Sequence, residues 1–214
     1  MSRNNVHPRD HRDLLFKIMV VGEPGCGKTS LIRRYVDRTF ESNYRTTIGV
    51  DFRLKTVESD ARTTVRLQLW DIAGQERHGN MTRVYYKESA AALIVCDLIN
   101  ETTLAAALRW KEDIDSKVLI DDEPIPVLLV GNKVDLILEK SAAEKRLEAV
   151  AREHRFAGFM LTSAKTDENV EAAFSFITKE ILKRKSNLIR GEEDIALLQP
   201  DRSLRQEKPP ECLC

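Results

Sequence analysis

Residues Gly22 to Thr29 read Gly-Glu-Pro-Gly-Cys-Gly-Lys-Thr, with the spacing Gly-x4-Gly-Lys-Thr. Few short motifs constrain a fold more, because this one needs a strand before it and a helix after it. The flanks meet that demand. Phe16-Lys17-Ile18-Met19-Val20-Val21 has the character of a buried strand, and Ser30-Leu31-Ile32-Arg33-Arg34-Tyr35-Val36 has the apolar spacing of a helix. Without side chains at Gly22, Gly25 and Gly27 the backbone is free to turn successive N–H groups inward, where the helix N-terminus adds partial positive charge. Such a loop cradles phosphate. Glu23, Pro24, Cys26 and Ser30 complete the wall, Lys28 is placed to neutralise the β- and γ-phosphates, and the Thr29 hydroxyl is placed to ligate Mg²⁺.

The rest of the chain alternates strands and helices. Arg53 to Val57 and Thr64 to Trp70 show period-two alternation, with Glu58 to Arg62 as the turn between them. Ala91 to Val95 and Val127 to Val130 are nearly continuous apolar runs, as expected of strands buried on both faces. Leu104, Ala107, Leu108, Lys111 and Ile114 mark one helix face, Ser141-Ala142-Ala143-Glu144 has the form of a capping box, and Val170, Phe174, Ile177 and Ile181 mark a third helix. These units predict an α/β fold: a mostly parallel sheet, helices on both faces, and ligand at the carboxyl ends of the strands. A single domain is predicted over 14–185 of the 214 residues, after a flexible N-terminal arm at 1–13 and before a flexible tail at 186–214.

Composition narrows the class. Lys plus Arg and Asp plus Glu each number 34, so the net charge is zero and predicts no nucleic-acid partner. No apolar run reaches the roughly 20 residues that span a bilayer, and the polar N-terminus lacks a signal-peptide core, which predicts a cytosolic start. Cysteines 26, 96, 212 and 214 form no metal-ligand or disulfide pattern.

Three more segments at strand ends turn the phosphate loop toward guanine nucleotide. In Asp71-Ile72-Ala73-Gly74-Gln75, Asp71 can hold Mg²⁺ through water, the Gly74 amide can approach a γ-phosphate, and Gln75 can orient an attacking water. In Asn132-Lys133-Val134-Asp135, the Asp135 carboxylate can accept from both N1–H and the 2-amino group of guanine, which adenine cannot offer. Asn132 and Lys133 would brace loops and cover the base. In Thr162-Ser163-Ala164-Lys165, the Ala164 amide can donate to the guanine 6-oxo group. A fourth segment, Tyr44 to Phe52, carries Thr47, which can bind Mg²⁺ only beside a γ-phosphate, so the loop would order in one nucleotide state.

On these motifs the chain resembles the small GTPases of the Ras superfamily, specifically the Rab family, over about residues 14–185. The resemblance implies a P-loop small G domain with a six-stranded sheet that binds GTP and GDP with Mg²⁺ and hydrolyses GTP slowly without an activator. It implies that Lys28 and Gln75 serve catalysis, that Thr29, Thr47 and Asp71 serve the metal, that Tyr44 belongs to the nucleotide site, and that Phe40 packs against the base. Base recognition falls to Asn132, Lys133, Asp135, Ser163, Ala164 and Lys165. Ile48-Gly49-Val50-Asp51-Phe52, Leu67 to Asp71 and Tyr85-Tyr86 carry the Rab character. In Rabs the trio matching Phe52, Trp70 and Tyr85, with Ile48 beside it, forms a surface read by effectors; the competing expectation is that these side chains are core. The stretch from Val65 to Glu88, with Ile72, is similar to the Rab subgroup of lysosome-related organelles.

The ending Glu211-Cys212-Leu213-Cys214 matches the Cys-x-Cys box that Rabs use for double geranylgeranylation, and two lipids anchor where one would not. The resemblance further implies an exchange factor, a GTPase-activating protein, a GDP-dissociation inhibitor, an escort protein and effectors. The expected location is the cytoplasmic face of endosomal, lysosome-related or trans-Golgi membranes, with a cytosolic pool. Departures from the pattern are Pro24, which either slows hydrolysis or is tolerated, Cys26, read as a packing residue, and His78, read as a variant without function. Two alternatives stand: a mainly GTP-loaded scaffold, marked by Pro24, and an ATP-dependent enzyme, which would leave Asp135 without a base partner.

Overall fold

The structure, a computed structural model, describes residues 11–198 apart from 44, 61 and 79–81, and the side chains of all of these but 77–78, 82–83 and 186–198. Contacts divide the chain into Met1–Ile181 and Leu182–Cys214. The first unit holds the whole sheet. Its strands are β1 (Arg12–Val21), β2 (Val50–Asp60), β3 (Thr63–Ile72), β4 (Ser89–Asp97), β7 (Val127–Asn132) and β8 (Gly158–Thr162), in the order β2-β3-β1-β4-β7-β8. Only the β2–β3 pair is antiparallel. A two-residue pair, β5 (Leu119–Ile120) and β6 (Glu123–Pro124), forms a separate small hairpin. The helices are α1 (Lys28–Asp37), α2 (Thr82–Tyr86), α3 (Glu101–Lys117), α4 (Lys140–Glu153) and α5 (Val170–Leu198).

Period two decides which helix covers which face. On β1, Met19 and Val21 join one buried cluster with Trp110 and Ile114 of α3 and Leu147 and Ala151 of α4. Ile18 and Val20 are equally buried and alternate with that pair, so they point to the opposite face. There Tyr35 of α1 stacks on Phe174 of α5, with ring centroids 4.1 Å apart and planes 12° from parallel. Both faces of the parallel strands are therefore dry, which explains the unbroken apolar runs of β4 and β7.

Four expectations shift. Strand β2 begins at Val50 rather than Arg53, because the Val50-Asp51-Phe52 segment pairs with Ile72, Asp71 and Trp70. The hairpin turn contracts accordingly, since Asp60 already faces Thr63. Ser141 does not cap α4: the helix starts at Lys140, Glu139 holds the cap position, and no side chain bonds there. Ser141 thus lies inside the first turn, where it cannot serve the amides ahead of it. Helix α5 continues to Leu198, past the 186 boundary, since no proline interrupts the chain before Pro200. None of the helices searched among the described residues is long and apolar enough to cross a membrane.

Candidate functional site

Segments at or just beyond the carboxyl ends of β1, β3, β7 and β8 converge on one cavity. Its wall includes Pro24, Gly25, Gly27, Lys28, Thr29 and Ser30 of the phosphate loop, together with Phe40, Thr47, Gly74 and Gln75. The far end is closed by Asn132, Lys133, Asp135, Ala164 and Lys165. Gly22, Glu23, Cys26 and Ser163 stand outside this lining. Tyr44, Cys212 and Cys214 lie outside the described residues.

Glycine is required in the loop for two different reasons. Gly22 has φ +139°, and a Cβ there would lie 2.1 Å from the Val95 carbonyl oxygen. Gly27 is left-handed at φ +94°, and a Cβ there would lie 2.3 Å from the Asn132 amide nitrogen. Gly27 is also the N-cap of α1, and no side chain bonds to the first amides of the helix. Those N–H groups remain as donors at the positive end of the helix, which suits a phosphate. Lys28 is buried, and its Nζ donates to the carbonyls of Gly22 at 2.9 Å and Glu23 at 3.0 Å. The ammonium is thereby held within the loop curve rather than swinging on its stem.

Three oxygens gather beside the loop. The hydroxyls of Thr29 and Thr47 lie 2.9 Å apart, and Thr29 donates to Asp71 Oδ2 at 2.5 Å, with Thr47 at 3.4 Å from the same oxygen. Asp71 Oδ1 is buried without a partner. Burial pushes the Asp71 carboxyl up from its ordinary range, opposed by the Thr29 bond and the Lys28 charge. A carboxylate with one buried oxygen lacking a donor and the other beside two hydroxyls fits a hydrated hard cation such as Mg²⁺. No group of three His, Cys, Asp or Glu side chains gathers among the described residues, so this hydroxyl-rich set stands apart from soft-metal sites.

Pro24 packs directly on Gly74. A Cβ on Gly74 would lie 2.4 Å from the Pro24 nitrogen and 2.5 Å from its Cδ. The loop and the start of the 3₁₀ turn Gly74–His78 are therefore in backbone contact, with Gln75 exposed beside them.

At the base end, Asp135 Oδ1 accepts from the Ser163 hydroxyl at 2.6 Å, and Ser163 accepts from the Thr166 amide at 3.0 Å. Asn132 is buried and works as a brace: its amide nitrogen donates to the Cys26 carbonyl at 2.9 Å, and its oxygen accepts from Thr162 at 3.3 Å. The Ala164 amide, expected to face a base oxygen, donates to Asn132 Oδ1 at 3.2 Å, a long bond that a ligand carbonyl would share or replace. Lys133 is left-handed at φ 70° and pairs with Asp97 Oδ2 at 2.6 Å. Phe40 is partly exposed, with the Arg34 guanidinium 6.0 Å from its ring centroid.

The sequence reading missed several participants. Asp97 fixes Lys133; its position at the end of β4 was the available signal. Arg34 ties α1 to the base loop through the carbonyls of Ala164 at 2.8 Å and Lys165 at 3.0 Å, and nothing in the sequence marked it. Leu136 adds an apolar wall. Cys26 is buried, and burial pushes its thiol up, as expected of a packing residue.

Ile48, Phe52, Trp70 and Tyr85 do not join this cavity. Ile48 is 91% and Phe52 69% exposed, so neither is core, whereas Trp70 and Tyr85 are half-buried against the main cluster. Phe52 and Trp70 lie 6.4 Å apart by ring centroid, and Lys17 Nζ sits 3.7 Å above the Trp70 ring while donating to the Lys87 carbonyl at 2.9 Å.

An amide cradle, a hydroxyl and carboxylate cluster, and a carboxylate at Asp135 braced by Ser163, on one mostly parallel sheet, are the features of a P-loop guanine-nucleotide protein. The Ras family model matches residues 17–183, and the chain belongs to that family. Human Ras-related protein Rab-32 is 48% identical over 203 residues, covering 94% of this chain and 90% of that protein. Ras-related protein Rab-32A of Dictyostelium discoideum is 45% identical over 215 residues, covering 98% and 96%. Human Ras-related protein Rab-7L1 is 42% identical over 173 residues, covering 80% and 85%. The chain is thus a Rab-type small GTPase of membrane trafficking, akin to the Rabs of lysosome-related organelles. It binds GTP and GDP, hydrolyses GTP, and associates with intracellular membranes.

Proposed function

We propose that this chain selects guanine through Asp135 and senses the third phosphate through Thr47 and Gly74. One observation supports the reading above all: Asp135, braced by Ser163, closes the cavity opposite the open amides of α1. Lys28 neutralises the β- and γ-phosphates from its two-carbonyl perch, and the α1 amides bind the same oxygens. Thr29, Thr47 and Asp71 would hold Mg²⁺, which supplies charge neutralisation between the phosphates. Gln75 orients the water that attacks the γ-phosphorus, the leaving group is GDP, and no covalent enzyme intermediate forms. Asp97 and Arg34 act as positioning residues, through Lys133 and the base loop respectively.

Losing the γ-phosphate frees Thr47 and the Gly74 amide, so the segments around them loosen in the GDP state. Ile48, Phe52, Trp70 and Tyr85 lie on or beside those segments and form the surface that effectors read. An exchange factor, an activating protein, a GDP-dissociation inhibitor and an escort protein serve the cycle. Geranylgeranyl groups on Cys212 and Cys214 hold the protein on the cytoplasmic face of endosomal, lysosome-related or trans-Golgi membranes, with a cytosolic pool. The tests are direct. Titration calorimetry with Mg²⁺ should show strong preference for GDP over ADP, and equal affinities would refute the base assignment. A Cys212→Ser, Cys214→Ser protein should be cytosolic, and continued membrane association would refute lipid anchoring.

A further inference from the structure

A second cavity, of about 280 Å³, opens between α3 and α4 with Asp97 in its wall. Its floor is aliphatic, with Leu104 from α3 and Ala142, Ala143 and Leu147 from α4. Of its charged members, Asp97 is buried and paired with Lys133, whereas the Arg146 and Glu101 side chains, 51% and 75% exposed, pair at 2.5 Å. Glu139, also lining and exposed, has no ion-pair partner among the described residues. The rim therefore carries one carboxylate without an ion-pair partner over a mostly apolar pit.

The neighbouring surface is unusually greasy for a solvated loop. Leu138, between the lining residues Ile137 and Glu139, is 99% exposed, and Ile99, between Leu98 and Glu101, is 56% exposed. The other large apolar residues at the surface belong mostly to the Phe52 side or to the nucleotide cavity, so these two need their own account. A small molecule filling the pit would leave Leu138 and Ile99 bare; a protein segment seated in it would cover them.

We propose that this cavity is a docking site for a partner protein segment that inserts a branched aliphatic side chain and carries a basic residue beside it. The aliphatic group fills the Leu104–Ala143 floor, and the cation meets Glu139. The site does not depend on the nucleotide assignments above.

Methyl NMR of the full-length, GDP-loaded protein, labelled at Leu and Ala, tests the proposal with the capped dipeptides Ac-Leu-Arg-NH₂, Ac-Leu-Glu-NH₂ and Ac-Ala-Arg-NH₂. The expected result is saturable shifts of Leu104, Ala142, Ala143 and Leu147 with the first probe, at about fivefold lower concentration than with the second. The third should produce none. Ala143→Leu, which fills the pit, should abolish the shifts. Glu139→Lys, a surface change, should reverse the Arg-over-Glu preference. Absence of saturable shifts, equal effects of the Ala-Arg probe, or an unchanged preference in Glu139→Lys would overturn the proposal. Saturation by hexanol but not by Ac-Leu-Arg-NH₂ would make the cavity a small-molecule site and overturn it as well.

Discussion

An alanine at position 74 would have nowhere to put its methyl group. The Cβ would fall 2.4 Å from the Pro24 nitrogen, 2.5 Å from Pro24 Cδ and 2.7 Å from the Glu23 carbonyl carbon, where ordinary contact begins at 3.4 Å. Two of those atoms are backbone, so the strain cannot be relieved by a rotamer, and the start of the 3₁₀ turn must retreat by about 1 Å. Gly74 is not left-handed, so the conformation itself tolerates alanine and the clash alone decides the outcome. A retreat of that size would break the hydrogen bond proposed from the Gly74 amide to a γ-phosphate. A bond to a charged group contributes about 1.5–3 kcal/mol, or roughly tenfold to 150-fold in affinity. GDP has no oxygen there. Gly74→Ala should therefore weaken a non-hydrolysable GTP analogue by that factor and leave GDP within about twofold, measured by stopped-flow fluorescence of labelled nucleotides. Adding Pro24→Gly removes Cδ but neither backbone atom, so the double variant should recover less than about threefold. A GTP-to-GDP affinity ratio unchanged by Gly74→Ala, or full recovery in the double variant, would refute the contact argument.

Asp135→Ala should weaken GDP by about a hundredfold, the loss of a bidentate charge-assisted pair, and erase discrimination against ADP in calorimetry. Asp97→Asn removes the Lys133 ion pair, which is largely shielded on the Asp97 side, and should speed GDP release about tenfold; an unchanged off-rate would deny Asp97 its positioning role. Burial pushes the Cys96 thiol and the Tyr35 phenol each up to about 12, from 9.0 and 10.0, so the unfolded chain ionises first as pH rises. Their contribution is complete below about pH 9 and is lost toward pH 12, so the melting temperature should fall across that window, and a flat profile would count against their burial.

Much of this was legible because the chemistry sits at strand ends. The run at Phe16 to Val21 announced a buried strand and that at Val127 to Val130 one dry on both faces, and the polar motifs directly after them had to meet at one edge of the sheet. The β2 boundary was hidden because Val50-Asp51-Phe52 reads as part of a loop motif; its pairing with Trp70 to Ile72 is a tertiary fact. The false cap at Ser141 fits the local pattern, but α4 starts at Lys140 with Glu139 at the cap position, two residues ahead of it. Arg34 was invisible for a different reason. An arginine on a helix face looks like any solvated charge until the Ala164 and Lys165 carbonyls, about 130 positions away, arrive beside it.

The order of the strands has a consequence for synthesis. Thr29, Thr47, Asp71 and Gly74 are all made by residue 74, yet the Cys26 carbonyl has no brace until Asn132 arrives and the Asp135 carboxylate none until Ser163 reaches it. Since β8 is an edge strand and pairs only with β7, a chain halted before residue 164 lacks the part of the cavity wall that Ala164 and Lys165 supply and should gain less stability from nucleotide. Premature termination inside the last third should therefore yield chains that quality-control proteases clear.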